Sequence, residues 1–98
     1  MVDVLSADGT ILSVDAAQAA RLGLSAAEVE GAQWSRLYTL EARERIASLF
    51  AQVSAVPRVV PLTLRLAGGG LLATTAVAER MDDAGQGLCL RLSKWPEG

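Results

Sequence analysis

Two apolar periods divide this chain. In its second half, Val60, Leu62, Leu64 and Leu66 alternate with Pro61, Thr63 and Arg65, which predicts a strand with one apolar face. Leu88, Leu90 and Leu92 alternate in the same way with Cys89, Arg91 and Ser93. Between them Leu71–Arg80 is rich in Thr and Val and reads as a long strand. The triple glycine at 68–70 and the stretch "DDAGQG" supply the two intervening turns. Upstream the period lengthens. Ile46, Leu49, Phe50 and Val53 fall at i, i+3, i+4 and i+7, so they share one face of a helix. Thr39 can cap that helix and Pro57 lies beyond its end. About 15 helical residues would span about 22 Å, enough to lie across a small sheet.

The N-terminal third is marked by turns and caps. Met1–Leu5 is a short apolar run with Asp3 inside it, and Thr10–Val14 is β-branched and apolar. Asp8-Gly9 between them predicts a tight hairpin, because Gly accepts the positive φ that such turns require. Asp15 with Gln18, and Ser25 with Glu28, have the spacing of capping boxes. They predict helices over Ala16–Leu22 and Ala26–Glu30, stopped by Gly23 and Gly31. The segment "AQWSRLY" has no period and reads as a loop or a single turn. Pro61 lacks an amide donor, so its strand is at a sheet edge or bulged near its start.

The order is therefore β-β-α-α-α-β-β-β, which predicts an α+β domain. A five-stranded antiparallel sheet carries its helices on one face. No helix remains for the other face. The apolar fraction is 51% and the mean hydropathy +0.31, high for 98 residues. A domain of this size buries roughly 60–70% of its unfolded surface, so some apolar area is expected on the uncovered face, under a partner.

A net charge of −2, with the nine basic residues scattered, argues against a nucleic-acid footprint. One cysteine excludes an internal disulfide and fits a reducing, cytoplasmic compartment. The sequence has no apolar run of bilayer length, so membrane contact is not expected.

With this order, "DGTILSVDAAQAARLGLSAAEVEG" resembles the N-terminal signature of the PAS domain family. Asp8, Gly9, Ile11, Val14, Asp15, Ala16, Ala17, Leu22, Gly23, Ser25 and Gly31 stand at the matching positions. "YTLEARERI" resembles the stretch that leads into the family's long helix, with Thr39 where a Pro-Glu-Asp segment is common. The resemblance implies a sensory or regulatory module of a signal-transduction or transcription-regulating protein. It would act by ligand sensing, by homodimerisation through the outer sheet face, or by both. It also implies that residues 1–98 are one domain excised from a larger regulator, with the output domain in the same parent chain. The alternative is a small-molecule binding protein that holds an apolar or anionic metabolite between sheet and helices.

The cofactor chemistry of such sensors finds little purchase here. There is no His to ligate haem. Cys89, on a strand among leucines, reads as a small apolar group rather than a ligand. Flavin photosensors of the family carry a cysteine after the closing Gly, and "GAQWSRLY" has none. A non-covalent flavin would have only Gln33 and Trp34 to meet it, and Trp34 reads rather as a cap on the core. No base stands ready to activate a nucleophile, so catalysis is not expected. Asp82-Asp83 reads as a solvated turn rather than a metal site.

The expected pocket lining is Val14, Leu22, Trp34, Leu37, Ile46, Leu49, Phe50, Leu64, Val77 and Leu90, with Leu62, Leu88 and Leu92 beside them. A one-residue shift exchanges the faces of a strand, so the pattern leaves each strand's inward face open. Arg36, Arg43 and Arg65 could meet an anion but read first as surface charges.

Overall fold

Hydrogen bonding along the backbone builds the expected elements in the expected order. The computed structural model describes residues 1–52, 56–83, 85 and 87–95. Strands β1 (Val2–Ser6) and β2 (Ile11–Val14) are followed by helices α1 (Ala16–Arg21) and α2 (Ala26–Val29). A 3-10 turn (Trp34–Arg36) and helix α3 (Leu40–Ala51) lead to β3 (Arg58–Arg65), β4 (Leu71–Asp83) and β5 (Gly87–Trp95). The five strands form one antiparallel sheet in the order β2-β1-β5-β4-β3.

Local chemistry accounts for the boundaries. In the β1–β2 turn Asp8 Oδ1 accepts from the Ser6 hydroxyl and, at 3.0 Å, from Thr10 N, while Gly9 takes φ +98°. Asp15 caps α1 by accepting from Gln18 N at 2.6 Å. Its other oxygen accepts from Val2 N at 2.7 Å, so the cap also fixes the start of β1. Ser25 and Glu28 make a complete capping box on α2. Thr39 Oγ1 accepts from Ala42 N to cap α3. That helix is 12 residues long and ends at Ala51, short of Pro57. Ala42 and Ile46 are buried on it, with Leu49 and Phe50 packed at the margin of the core. Val53, expected on the same face, lies outside the described residues.

Asp82 and Asp83 do not sit in a turn. They extend β4, paired in register with Leu88 and Gly87.

One core lies between the sheet and the helices, with Leu5, Ile11, Leu22, Leu37, Tyr38, Ile46, Leu62, Leu64 and Leu92 at its centre. The register fixes the inward face. Leu62 opposes Thr74, Val60 opposes Ala76, Ala76 opposes Lys94 and Ala78 opposes Leu92. Alternation therefore turns Val77 to the outer face, opposite Val59 and Ser93, and the expectation that Val77 lines the interior is corrected. The buried inward positions of β4 are the small residues Thr74, Ala76 and Ala78, set beside Leu62 and Val60 of β3 and Lys94 and Leu92 of β5.

The segment 31–39 reaches both sheet edges. At β2, Gly31 N donates to Ile11 O and Ile11 N to Ala32 O. At β3, Arg65 N donates to Leu37 O and Thr39 N to Thr63 O. Pro61 shares the outward parity of Thr63 and Arg65 along β3, so its missing donor faces this edge rather than β4. β3 is thus an edge strand, the first of the two placements its proline allows. No helix among the described residues is long and apolar enough to cross a membrane.

Candidate functional site

The interior between sheet and helices is not wholly aliphatic. Asp3 on β1 and Lys94 near the end of β5 point into it, both fully buried at the side chain, with Lys94 Nζ 3.0 Å from Asp3 Oδ1. Tyr38, just after the 3-10 turn, donates its hydroxyl to Asp3 Oδ2. Gln18 of α1 donates its amide to the same oxygen at 3.0 Å. Lys94 Nζ also donates to Tyr38 Oη at 3.1 Å and to Leu92 O at 3.3 Å. An ammonium, a phenol and an amide therefore converge on one carboxylate, in a place where an unpaired charge would be costly.

The surroundings act on these groups in opposite ways. Burial lowers the pKa of Lys94 from its usual 10.5, and the attraction of Asp3 works against that shift. Burial and the neighbouring Asp3 carboxylate hold the Tyr38 phenol well above its usual 10.0, so it remains a proton donor. Gln18 Oε1 is buried without a hydrogen-bond partner. The capping box expected from Asp15 and Gln18 is thus half made. Gln18 contributes its backbone N–H to the cap, and its side chain turns inward to Asp3 instead.

Sequence reasoning missed this cluster, although its parity was legible. Lys94 follows Leu88, Leu90 and Leu92 at the same alternation, and Asp3 precedes Leu5 by two residues. A charged residue on the inward parity of each of two strands is a signal for a buried pair.

Of the expected lining, Val14, Leu22, Leu37, Ile46, Leu64 and Leu90 join the buried core, together with Leu62 and Leu92. Trp34, Leu49 and Phe50 pack against its edge. Leu88 shares the inward parity of β5 and is half-buried. Val77 alone of these faces away. Trp34 stacks on Phe50 with ring centroids 5.4 Å apart and planes 5° from parallel, as a cap on the core does. Gln33 is exposed and bridges to Thr10 at the β2 edge. Cys89 is buried at the outer face, in register with Ser6 and Met81. No cluster of three or more His, Cys, Asp and Glu side chains able to hold a metal occurs among the described residues.

The outer face has its own pattern. Val59, Val77, Ser93 and Val2 oppose one another in a row that crosses β3, β4, β5 and β1. The neighbouring row runs Glu79, Arg91, Val4 and Ser13. Val59 is 70% exposed and Met81 41%.

No protein-family model and no curated protein matches this sequence. Solved structures do. The PAS domain of an HTR-like protein from Haloarcula marismortui superposes with a TM-score of 0.79 at 24% identity, covering 97% of this chain and 80% of that one. The PAS domain of a Desulfitobacterium hafniense protein gives 0.80 at 20% identity, covering 99% and 92%. The PAS domain of a LuxR-family transcriptional regulator from Burkholderia thailandensis, solved with ethanol, gives 0.67 at 18% identity, covering 95% and 88%. A sheet of the order β2-β1-β5-β4-β3 with its helices on one face, shared across nearly the full length, means that this chain has the PAS-domain fold.

Proposed function

We propose that this domain is a sensory or regulatory module of a signalling or transcription-regulating protein in the cytoplasm, that it works as a homodimer through the outer sheet face, and that its output domain lies in the same parent chain. The fold supports the coarse reading, because its solved neighbours include a domain of a transcriptional regulator. The finer reading rests on one observation, the row Val59–Val77–Ser93–Val2, with valine at three of its four positions, on the face that no helix of the described chain covers. A second copy is the occupant that fits. Glu79 and Arg91 lie side by side in the adjoining row, and a two-fold axis through the face would set each against its opposite in the partner. The module itself neither catalyses nor contacts nucleic acid in this reading.

Light scattering across a concentration series tests it. The parent should be dimeric at about 0.1 mM, and Val77→Asp should be monomeric while melting within a few degrees of the parent. A parent that is monomeric at that concentration, or a dimer indifferent to Val77→Asp, refutes the dimer reading.

The orphaned Gln18 Oε1 favours a second reading, a binding protein whose interior takes a small metabolite bearing a hydrogen-bond donor. Native mass spectrometry of gently purified protein separates the two. A bound mass beyond the polypeptide supports the second reading, and a ligand-free dimer supports the first.

A further inference from the structure

Beside the interior, and on neither sheet face, a cleft of about 450 Å³ opens between the α1–α2 turn, the 3-10 turn and the β3–β4 hairpin. Its lining is chemically divided. Leu24, Ala32 and Leu66 are half-buried and pack against the core, so they form an apolar floor. Arg36 and Arg65 line the same cleft and are exposed, and no acidic side chain is among its lining residues.

The walls are tied together before any ligand arrives. Ala67 N donates to Leu22 O at 2.8 Å, and Arg65 N to Leu37 O at 2.7 Å. Arg65 also gives one guanidinium N–H to Ser35 O at 3.0 Å, which holds its side chain along the 3-10 turn. At Gly23, with φ +81°, an added Cβ would lie 3.2 Å from Ala67 Cβ, so the approach of hairpin to turn depends on that glycine. A preformed cleft loses less entropy on binding than one that must be ordered. The partner of Arg36 is Glu28, at 3.5 Å with both side chains about half exposed, a contact that an incoming anion can displace.

We propose that this cleft binds a small amphipathic oxyanion, a carboxylate or phosphate ester carried on a short apolar stem. The head meets the guanidinium groups of Arg36 and Arg65, whose planar donor forks match either anion. The stem lies on Leu24, Ala32 and Leu66. This goes beyond the dimer reading and does not depend on it, because none of these residues is in the outer-face rows.

Amide shifts of the isotope-labelled chain test the proposal with four probes: hexanoate, hexyl phosphate, hexanol and inorganic phosphate. At least one of the two amphipathic anions should shift the amides of Leu24, Ala32 and Leu66 with a Kd of about 1 mM or tighter. Which of them does so assigns the head group. Hexanol and inorganic phosphate should each bind at least about tenfold more weakly. Arg36→Gln should weaken the better anion about tenfold. So should Arg65→Lys, which keeps the charge, loses the fork and spares the fold the loss of a cation. Glu28→Gln should tighten binding two- to fivefold, roughly the worth of an exposed ion pair. It removes the competitor for Arg36 and keeps a side chain that can complete the α2 capping box.

The proposal is overturned if neither anion shifts these amides at about 10 mM, or if hexanol or inorganic phosphate binds as well as the amphipathic anions. It is equally overturned if binding is indifferent to Arg36→Gln and Arg65→Lys.

Discussion

Replacing Lys94 by Met would leave the carboxylate of Asp3 buried at the centre of the fold without its counter-ion. Met has nearly the shape of the lysine stem, so the change removes charge rather than volume. Breaking a buried pair on one side costs about 3–5 kcal/mol. Tyr38 and Gln18 still donate to Asp3 Oδ2, which places the expected cost at the lower end, about 3 kcal/mol. Against a total stability of about 5–15 kcal/mol this is a large fraction. At about 4–8 °C per kcal/mol for a domain of this size, Tm should fall by at least ~12 °C. Urea unfolding followed by circular dichroism gives the free energy directly, through the midpoint at unchanged slope. The decisive variant is the double one. Adding Asp3→Asn to Lys94→Met removes the orphaned charge and keeps an acceptor for Tyr38 and Gln18. It should restore about 2 kcal/mol or more of what Lys94→Met lost. The reasoning is refuted if Lys94→Met costs less than about 1 kcal/mol, or if Asp3→Asn fails to stabilise the Lys94→Met background.

Three further outcomes follow from the same geometry. The Tyr38 phenol is raised above 10.0, so above that pH the unfolded chain releases a proton that the folded one keeps, and stability falls. Lys94, lowered from 10.5, contributes the opposite slope up to that pH, so the stability advantage of the parent over Tyr38→Phe in urea titrations should narrow as pH passes about 10. The Asp8 carboxyl is lowered below 3.8 by hydrogen bonds from Ser6 and Thr10; its contribution is full above that pH and is lost below it, so the advantage of the parent over Asp8→Asn should be present at neutral pH and shrink under acid. Gly23→Ala should cost about 1–2 kcal/mol for the left-handed backbone, plus a steric part that Gly9→Ala lacks, because a Cβ at Gly9 meets nothing within 4 Å. Thermal melts of the two glycine variants isolate that difference.

What was legible in the sequence was whatever is decided within a few residues. The Asp8-Gly9 turn, the caps at Asp15, Ser25 and Thr39 and the stops at Gly23 and Gly31 are local chemistry, and each stands where the residues put it. Parity in the long strand β4 was not local. "TTAVAER" has no clean alternation, and its inward set is chosen by register with β3 and β5, which leaves the bulky Val77 outside and the small Ala76 inside. The polar cluster was hidden for a related reason. Asp3, Gln18, Tyr38 and Lys94 are spread over most of the chain, and only closure of β1 onto β5 brings them together. Gln18 was further disguised, because a glutamine at that position completes a helix cap equally well on paper.

The reach of segment 31–39 to both margins of the sheet makes a mechanical closure of the fold. β2 and β3 are the two outermost strands, as far apart as the sheet allows, and yet one short segment hydrogen-bonds to both, through Gly31 and Ala32 at β2 and through Leu37 and Thr39 at β3. Each outer strand is paired to its inner neighbour on one side and tied to this segment on the other, so unseating the segment strips the outer-side bonds from both strands at once. The two margins should therefore behave as one opening unit in native-state hydrogen exchange, with the amides of Ile11 and Arg65 exchanging at matched free energies. A cavity made at Leu37, next to the β3 bonds, should lower the protection of Ile11 on the far side of the molecule. Distance across the sheet would then be a poor guide to energetic separation.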